Sequence, residues 1–140
     1  MAHRIQQSRR HILYGRAFVL LALISGCAAF PQRGHTMERT ELYFGLTRPN
    51  GPDVMEIEFQ TFLDDVVTPR FPQGYTVLSG QGHWREQQGK ARTESSHVLV
   101  ILHADTSEDD RKIEEIRAAY VTRFAQEAVM RADAFENISF

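Results

Sequence analysis

Five consecutive apolar residues, Val98-Leu-Val-Ile-Leu102, constrain this chain more than any other feature. The run is too short for a buried helix and lies between turn chemistry at Gln88-Gly89-Lys90 and an acidic stretch opening at Asp105. Apolar on both faces, it reads as the heart of a central strand, extending from about Arg92 to His103.

The other segments arrange themselves around that strand. Thr40 to Leu46 alternates, with Leu42, Phe44 and Leu46 on one face and Glu41 and Tyr43 on the other, the pattern of a half-buried strand. Thr47-Arg-Pro-Asn-Gly-Pro52 is turn chemistry. Asp53 with Glu56 reads as a capping box, opening a helix whose apolar face is Phe59, Phe62, Leu63, Val66 and Val67; Pro69 and Pro72 end it. Tyr75 to about Glu86 reads as a long strand, in which Gly80 and Gly82 suggest a bend or bulge. Asp105 with Glu108 forms a second box, and the helix after it runs to about Gln126, burying Ile113, Ile116, Tyr120 and Phe124. A last strand falls within Ala128 to Phe140. The order βαββαβ is the ferredoxin-like pattern, an α+β sandwich with an antiparallel sheet and both helices on one face.

The first 26 residues hold four arginines and no carboxylate. The remainder carries 12 basic groups against 18 acidic ones, a balance of −6 without any basic run, which argues against nucleic acid as a partner. Ala17 to Ser25 is an apolar stretch of nine residues, about 14 Å of helix, against a bilayer core of about 30 Å. It therefore reads as the core of a signal peptide over residues 1–26 rather than a transmembrane span. Leu23-Ile-Ser-Gly-Cys27 resembles a bacterial lipobox, which makes Cys27, the chain's one cysteine, the expected lipidation site and the membrane the expected partner through that lipid. Residues 27–37 read as a tether and 38–140 as one folded domain. Ser8-Arg9-Arg10 also resembles a twin-arginine export signal. The expected location is the bacterial cell envelope, facing the periplasm, with the outer membrane favoured because Ala28 rather than Asp follows the cysteine.

Four stretches, Thr40-Glu-Leu-Tyr-Phe-Gly-Leu-Thr-Arg-Pro-Asn-Gly51, Val67-Thr-Pro-Arg-Phe-Pro72, Thr76-Val-Leu-Ser-Gly-Gln-Gly-His-Trp84 and Ile116-Arg-Ala-Ala-Tyr120, resemble a family of bacterial secreted proteins catalogued only as a domain of unknown function. The resemblance spans nearly all of residues 38–140. It implies export and carries no activity, so no functional residue is transferred from it.

No glycine-rich phosphate loop, nucleophile elbow or zinc-protease signature is present. The candidate surface is the sheet face left open by the helices. With the hairpin loop at Gly89 to Ala91, His83 falls opposite His97, Gln81 opposite Leu99 and Ser79 opposite Ile101. The open face then presents Glu41, Tyr43, Gln81, His83, His97 and His103 around Leu99 and Ile101, while Leu78, Trp84, Val98, Val100 and Leu102 face the helices. Trp84 reads as packing, or else as a stacking platform. Glu41, Tyr43 and His103 are candidates for an acid–base set. His83 and His97 supply two of the three or four ligands that zinc needs, so no metal and no cofactor is expected. Arg70 and Arg123 are expected to pair with carboxylates rather than hold an anion.

An apolar pair among polar neighbours points to a non-catalytic binding or interaction module of the envelope, with a second copy or an envelope protein on the open face. The other reading is a small dimeric enzyme with a pocket on that face. For the anchor, labelling cells with radioactive palmitate is expected to mark the wild-type protein and not Cys27→Ser. Residues 1–26 still attached, with a free thiol at position 27, would overturn the lipoprotein reading.

Overall fold

A computed structural model describes residues 34–85 and 89–140. The signal segment and Cys27 lie outside the described residues.

The alternation around Leu42 becomes strand β1 (His35–Gly45), which begins upstream of Glu38. Thr40, Leu42 and Phe44 are buried on one side, and Arg39, Glu41 and Tyr43 lie on the other. Helix α1 (Glu56–Phe62) follows and passes into a π-helical turn, Leu63–Val67. That turn is closed by the Thr68 amide donating to the Leu63 carbonyl at 2.8 Å, and it keeps Leu63 and Val67 on the buried side with Phe59 and Phe62. The cap differs from the expected Asp53 box. The Val54 amide is drawn back to the Leu46 carbonyl at 2.7 Å, leaving Asp53 in the loop, and the Glu58 carboxylate accepts from the Met55 amide at 2.9 Å.

Strands β2 (Thr76–Arg85) and β3 (Ala91–His103) form the hairpin, helix α2 (Ser107–Phe124) crosses back, and β4 (Met130–Ile138) completes the order. Thr106 caps α2, accepting from the Asp109 amide at 3.1 Å, one residue later than the Asp105 and Glu108 pair suggests. Ala125, at φ 53°, ends the helix in a left-handed turn. The sheet order is β2-β3-β1-β4 with every neighbour antiparallel, the ferredoxin-like arrangement the sequence implies.

Two expectations about the hairpin fail. Pairing is unbroken from Thr76–Val100 to Arg85–Ala91, so neither Gly80 nor Gly82 makes a bulge. Gly82 instead leaves its strand open to the Trp84 ring, whose Cζ3 would lie 3.7 Å from an added Cβ. The register is also displaced by four residues. His83 pairs with Thr93, Gln81 with Ser95, Ser79 with His97 and Val77 with Leu99.

The larger correction concerns the faces. Leu42 lies opposite Leu99, and Phe44 opposite His97. The helix-covered side of β3 is therefore His97, Leu99, Ile101 and His103, all buried, and the open side is Val98, Val100 and Leu102. A strand apolar at both parities cannot reveal its own orientation, and β1 decides it. Leu78 and Trp84, expected under the helices, are 50% and 47% exposed on the other side.

Phe44 centres the core. Its ring lies 4.5 Å from Tyr120, 5.7 Å from Phe59 and 5.9 Å from Phe62, tilted or edge-on in each case. Ile113, Ile116, Leu99 and Ile101 are fully buried with it. The Tyr120 hydroxyl donates to the Gly45 carbonyl at 2.9 Å, joining α2 to the end of β1, and burial pushes that phenol far above its ordinary range.

A polar cluster fixes the far edge. Arg131 of β4 reaches Asp110 at 2.6 Å and Glu114 at 2.9 Å on α2, and Asp133 at 2.9 Å on its own strand. Burial pushes the Asp133 and Glu114 carboxyls up, but hydrogen bonds outweigh it, from Thr40 and Arg131 to the first and from Arg117 and Arg131 to the second. Both are held below the usual carboxylate range.

Two outcomes follow. Phe44→Ala is expected to cost about 3–5 kcal/mol in urea unfolding, and Tyr120→Phe about 1 kcal/mol. Carboxyls depressed in the folded state stabilise fully above their ordinary pKa and lose that contribution as pH falls through the folded value. Stability should therefore drop below about pH 4, with a shallower drop in Asp133→Asn. A parallel pH profile for that variant would show the cluster to be inert.

Candidate functional site

Two groups of polar side chains lie on opposite sides of β1, because successive residues of a strand point to opposite faces.

On the open side, Arg39, Glu41 and Tyr43 share one parity. The Tyr43 hydroxyl donates to Glu41 Oε2, and Arg39 pairs with Glu41 Oε1 and, at 3.3 Å, with Glu136 of β4. Their cross-strand partners are apolar: Val98 and Met130 beside Tyr43, Val100 and Ala132 beside Glu41, Leu102 and Ala134 beside Arg39. The array is thus a polar stripe through an apolar surface completed by Leu78 and Trp84. Donation to Glu41, then burial, pushes the Tyr43 phenol above its ordinary value, against the opposing effect of Arg39. Its hydrogen is committed to Glu41, so toward any further group the phenol oxygen can act only as an acceptor. One guanidinium and two carboxylates leave the stripe at −1, a charge suited to a cation.

On the helix side, Thr40 is fully buried between two partners. Its hydroxyl donates to Asp133 Oδ1 at 2.7 Å, so its oxygen accepts from His103 Nε2 at 2.9 Å. His103 Nδ1 faces the Ala104 carbonyl at 2.9 Å, with Glu38 Oε2 at 4.0 Å. Both ring nitrogens therefore lie within hydrogen-bond distance of an oxygen. His103 also lines a cavity of about 260 Å³ at the end of the sheet, with Met37, Phe71, Gln73, Gly74, Leu102, Ala104, Asp109 and Lys112.

The structure brings Glu41 and Tyr43 together as the sequence suggests, but places His103 on the opposite side of the sheet. The three do not form one acid–base set. Leu99 and Ile101, read as a binding patch, are core residues at 0% exposure. His97 is buried too, its ring 4.4 Å from Phe59, with Nε2 3.2 Å from Glu56 and Nδ1 3.4 Å from Ser79. Gln81 and His83 share the helix-side parity and remain exposed, and His83 meets Thr93 at 3.1 Å. Trp84 lies on the open face. Arg70 pairs with Glu115 and Arg123 with Asp65, as expected. Among the described residues, no group of three or more His, Cys, Asp or Glu is placed to hold a metal.

Sequence reasoning missed Arg39, Thr40, Asp133 and, His103 and Leu102 apart, the residues lining the cavity. Thr40 left a readable signal, being a hydroxyl in the same parity as Leu42 and Phe44. Asp133 left none, since its strand was placed only loosely.

Two solved structures share this fold. A phage SAM lyase in its apo state matches with TM-score 0.56 and 18% identity, covering 74% of this chain and 83% of that one. A phage SAM lyase in complex with S-methyl-5'-thioadenosine matches with TM-score 0.54 and 19% identity, covering 77% and 93%. No curated protein matches the chain. The reading as a non-catalytic module is corrected on two grounds: the solved neighbours are an enzyme, and the apolar pair that carried it belongs to the core. Residues 39–140 match the family described as protein of unknown function (DUF3574), and the chain belongs to that family.

Proposed function

We propose that the domain is a small enzyme whose reaction centre is the Arg39–Glu41–Tyr43 array, acting on a compact sulfonium metabolite. One observation carries this reading: a coupled carboxylate and phenol, half-buried and net negative with their guanidinium and Glu136, cross the middle of an apolar sheet face. The substrate class is suggested by the neighbours, described as lyases of S-adenosylmethionine, and by the charge of the array.

The chemistry asks little of a protein. When the carbon–sulfur bond of a sulfonium breaks, sulfur leaves as a neutral thioether with the bonding pair, so no acid is needed. In an elimination, one base must take the proton from the neighbouring carbon as the other fragment forms a double bond. Glu41 is that base. Arg39 holds the carboxylate in place, and Tyr43 fixes its second oxygen and accepts from the substrate.

Exposed Leu78, Trp84 and Met130, the last at 58%, support closure of the site by a second copy laid on the open face, which would also exclude water from the array. We further propose that the domain is held at the bacterial envelope through Cys27, a reading supported by the sequence pattern alone.

The test is release of thioether from S-adenosylmethionine and from S-methylmethionine, followed chromatographically. Glu41→Gln is expected to lower kcat by about 10²–10⁴, and Tyr43→Phe by less, with unchanged circular dichroism. Sedimentation should give two or more copies, reduced to one by Trp84→Glu. Failure to cleave either sulfonium, or equal rates in wild type and Glu41→Gln, would sink the assignment.

A further inference from the structure

Strand β2 is an edge of the sheet, and it lacks the devices that keep an edge from pairing: proline, charge, a bulge or short length. Among the described residues it is hydrogen-bonded on one side only, to β3, so alternate residues turn N–H and C=O groups outward. It runs ten residues with unbroken pairing, and all but Val77 and Gly82 are exposed. From Thr76 to Trp84 it carries no carboxylate, lysine or arginine. The one charged residue, Arg85, is turned into its own hairpin, donating to the Gly89 carbonyl at 2.9 Å. Ser79 and His83 are engaged with β3, through His97 at 3.4 Å and Thr93 at 3.1 Å.

The opposite edge is built otherwise. Strand β4 carries Arg131, Asp133 and Glu136, and Arg131 ties it to α2. Charge thus guards one edge of the sheet and leaves the other bare. Charge also selects the occupant. Residues 27–140 carry 12 basic groups against 18 acidic ones, so two copies repel except where neutral surfaces meet. The β2 edge is such a surface, and it matches itself.

A strand pairs antiparallel with its own copy about a two-fold axis normal to the sheet, and one residue then faces itself. With Gln81 on the axis, Leu78 falls opposite the partner's Trp84, Gly80 opposite the partner's Gly82 and Ser79 opposite the partner's His83. Leu78 and Trp84, 50% and 47% exposed, would then cover each other. With Gly80 on the axis Leu78 meets a glycine and Trp84 meets Thr76; with Gly82 there, Leu78 runs past the strand's end. The glycines gain a use as well, since neither makes a bulge. The Trp84 ring lies back over Gly82, its Cζ3 3.7 Å from where a Cβ would stand, and the partner's Gly80 beside it leaves that ring unobstructed. We infer that β2 pairs edge to edge with β2 of a second copy, centred on Gln81, joining two four-stranded sheets into one of eight strands. The pairing uses the backbone of the edge and leaves both open faces on one side of the joined sheet. It is a separate contact from the packing of one open face on another, and it holds whether or not any sulfonium is cleaved.

The experiment is disulfide trapping in the full chain carrying Cys27→Ser, so that an introduced cysteine is the only thiol. Gln81→Cys sets two thiols opposite each other, with Cβ atoms about 4.5–5.5 Å apart, and mild oxidation should give a linked dimer. Ser79→Cys sets them four residues apart along the strands, about 13 Å at 3.3 Å per residue, and should stay unlinked. Both positions are exposed, so the fold tolerates either change. Gln81→Lys, which puts two like charges on the axis, should raise the dissociation constant of the pair about 2- to 5-fold in sedimentation. Gln81 and Ser79 project to the helix side, so none of these changes touches the open face. Equal linking of the two cysteine variants would overturn the edge pairing. No linking of Gln81→Cys in a chain that sediments as two copies would also overturn it, leaving the open-face contact alone. A chain that sediments as a monomer would overturn it too, and β2 amides that resist hydrogen exchange in that monomer would place another segment of the same chain on the edge. A linked Gln81→Cys dimer without cleavage of either sulfonium removes the enzyme reading and keeps the pairing.

Discussion

The pairing of Leu42 with Leu99 is the contact on which the rest of the structure depends. It sets the register of β1 against β3, and a slip of one residue would turn every side chain of one strand to the other face. With that register, Leu42 and Phe44 join Leu99 and Ile101 under the helices, where Tyr120, Phe59 and Phe62 close around Phe44. The same register leaves Arg39, Glu41 and Tyr43 beside Val98, Val100 and Leu102 on the uncovered side. Core and candidate site are thus two consequences of one alignment. A change that loosened the core would also disperse the array.

Strand β1 is held from both sides. Its edge partner β4 is tied to α2 through Arg131, whose ion pairs to Asp110 and Glu114 are mostly exposed and individually worth little, about 0–1 kcal/mol each. What makes the cluster more than trim is Thr40, fully buried and linked to both Asp133 and His103. Removing the threonine hydroxyl would leave a buried imidazole nitrogen facing nothing, which costs more than the bond itself contributes. The hydroxyl therefore belongs to the scaffold of β1 and to the cavity floor at once.

How much of this was legible in the residues varies element by element. The order of strands and helices was readable, because Leu42, Phe44 and Leu46 alternate cleanly and Ile113, Ile116, Tyr120 and Phe124 recur at helical spacing. The caps were misplaced by one or two positions, since Asp53, Thr106 and Asp105 are all competent caps and loop hydrogen bonds decide among them. The face of β3 was not legible: both parities of Val98 to Leu102 are apolar, and only the partner strand breaks the tie. That single ambiguity puts Leu99, Ile101, His97 and His103 on the wrong side and groups His103 with Glu41 and Tyr43, from which the structure separates it. The cavity was invisible for another reason, its lining being drawn from β1, β3, α2 and the loop at Phe71 to Gly74, four segments far apart in the chain.

The cavity at the end of the sheet and the open-face array also meet in space. Leu102 lines the cavity, and its cross-strand neighbour on β1 is Arg39, the first member of the array. From there to Tyr43 is four residues of extended chain, about 13 Å at 3.3 Å per residue. The alignment that puts Leu102 at the cavity therefore also puts Arg39 at the head of the array, and a shift of β1 against β3 would disturb both together.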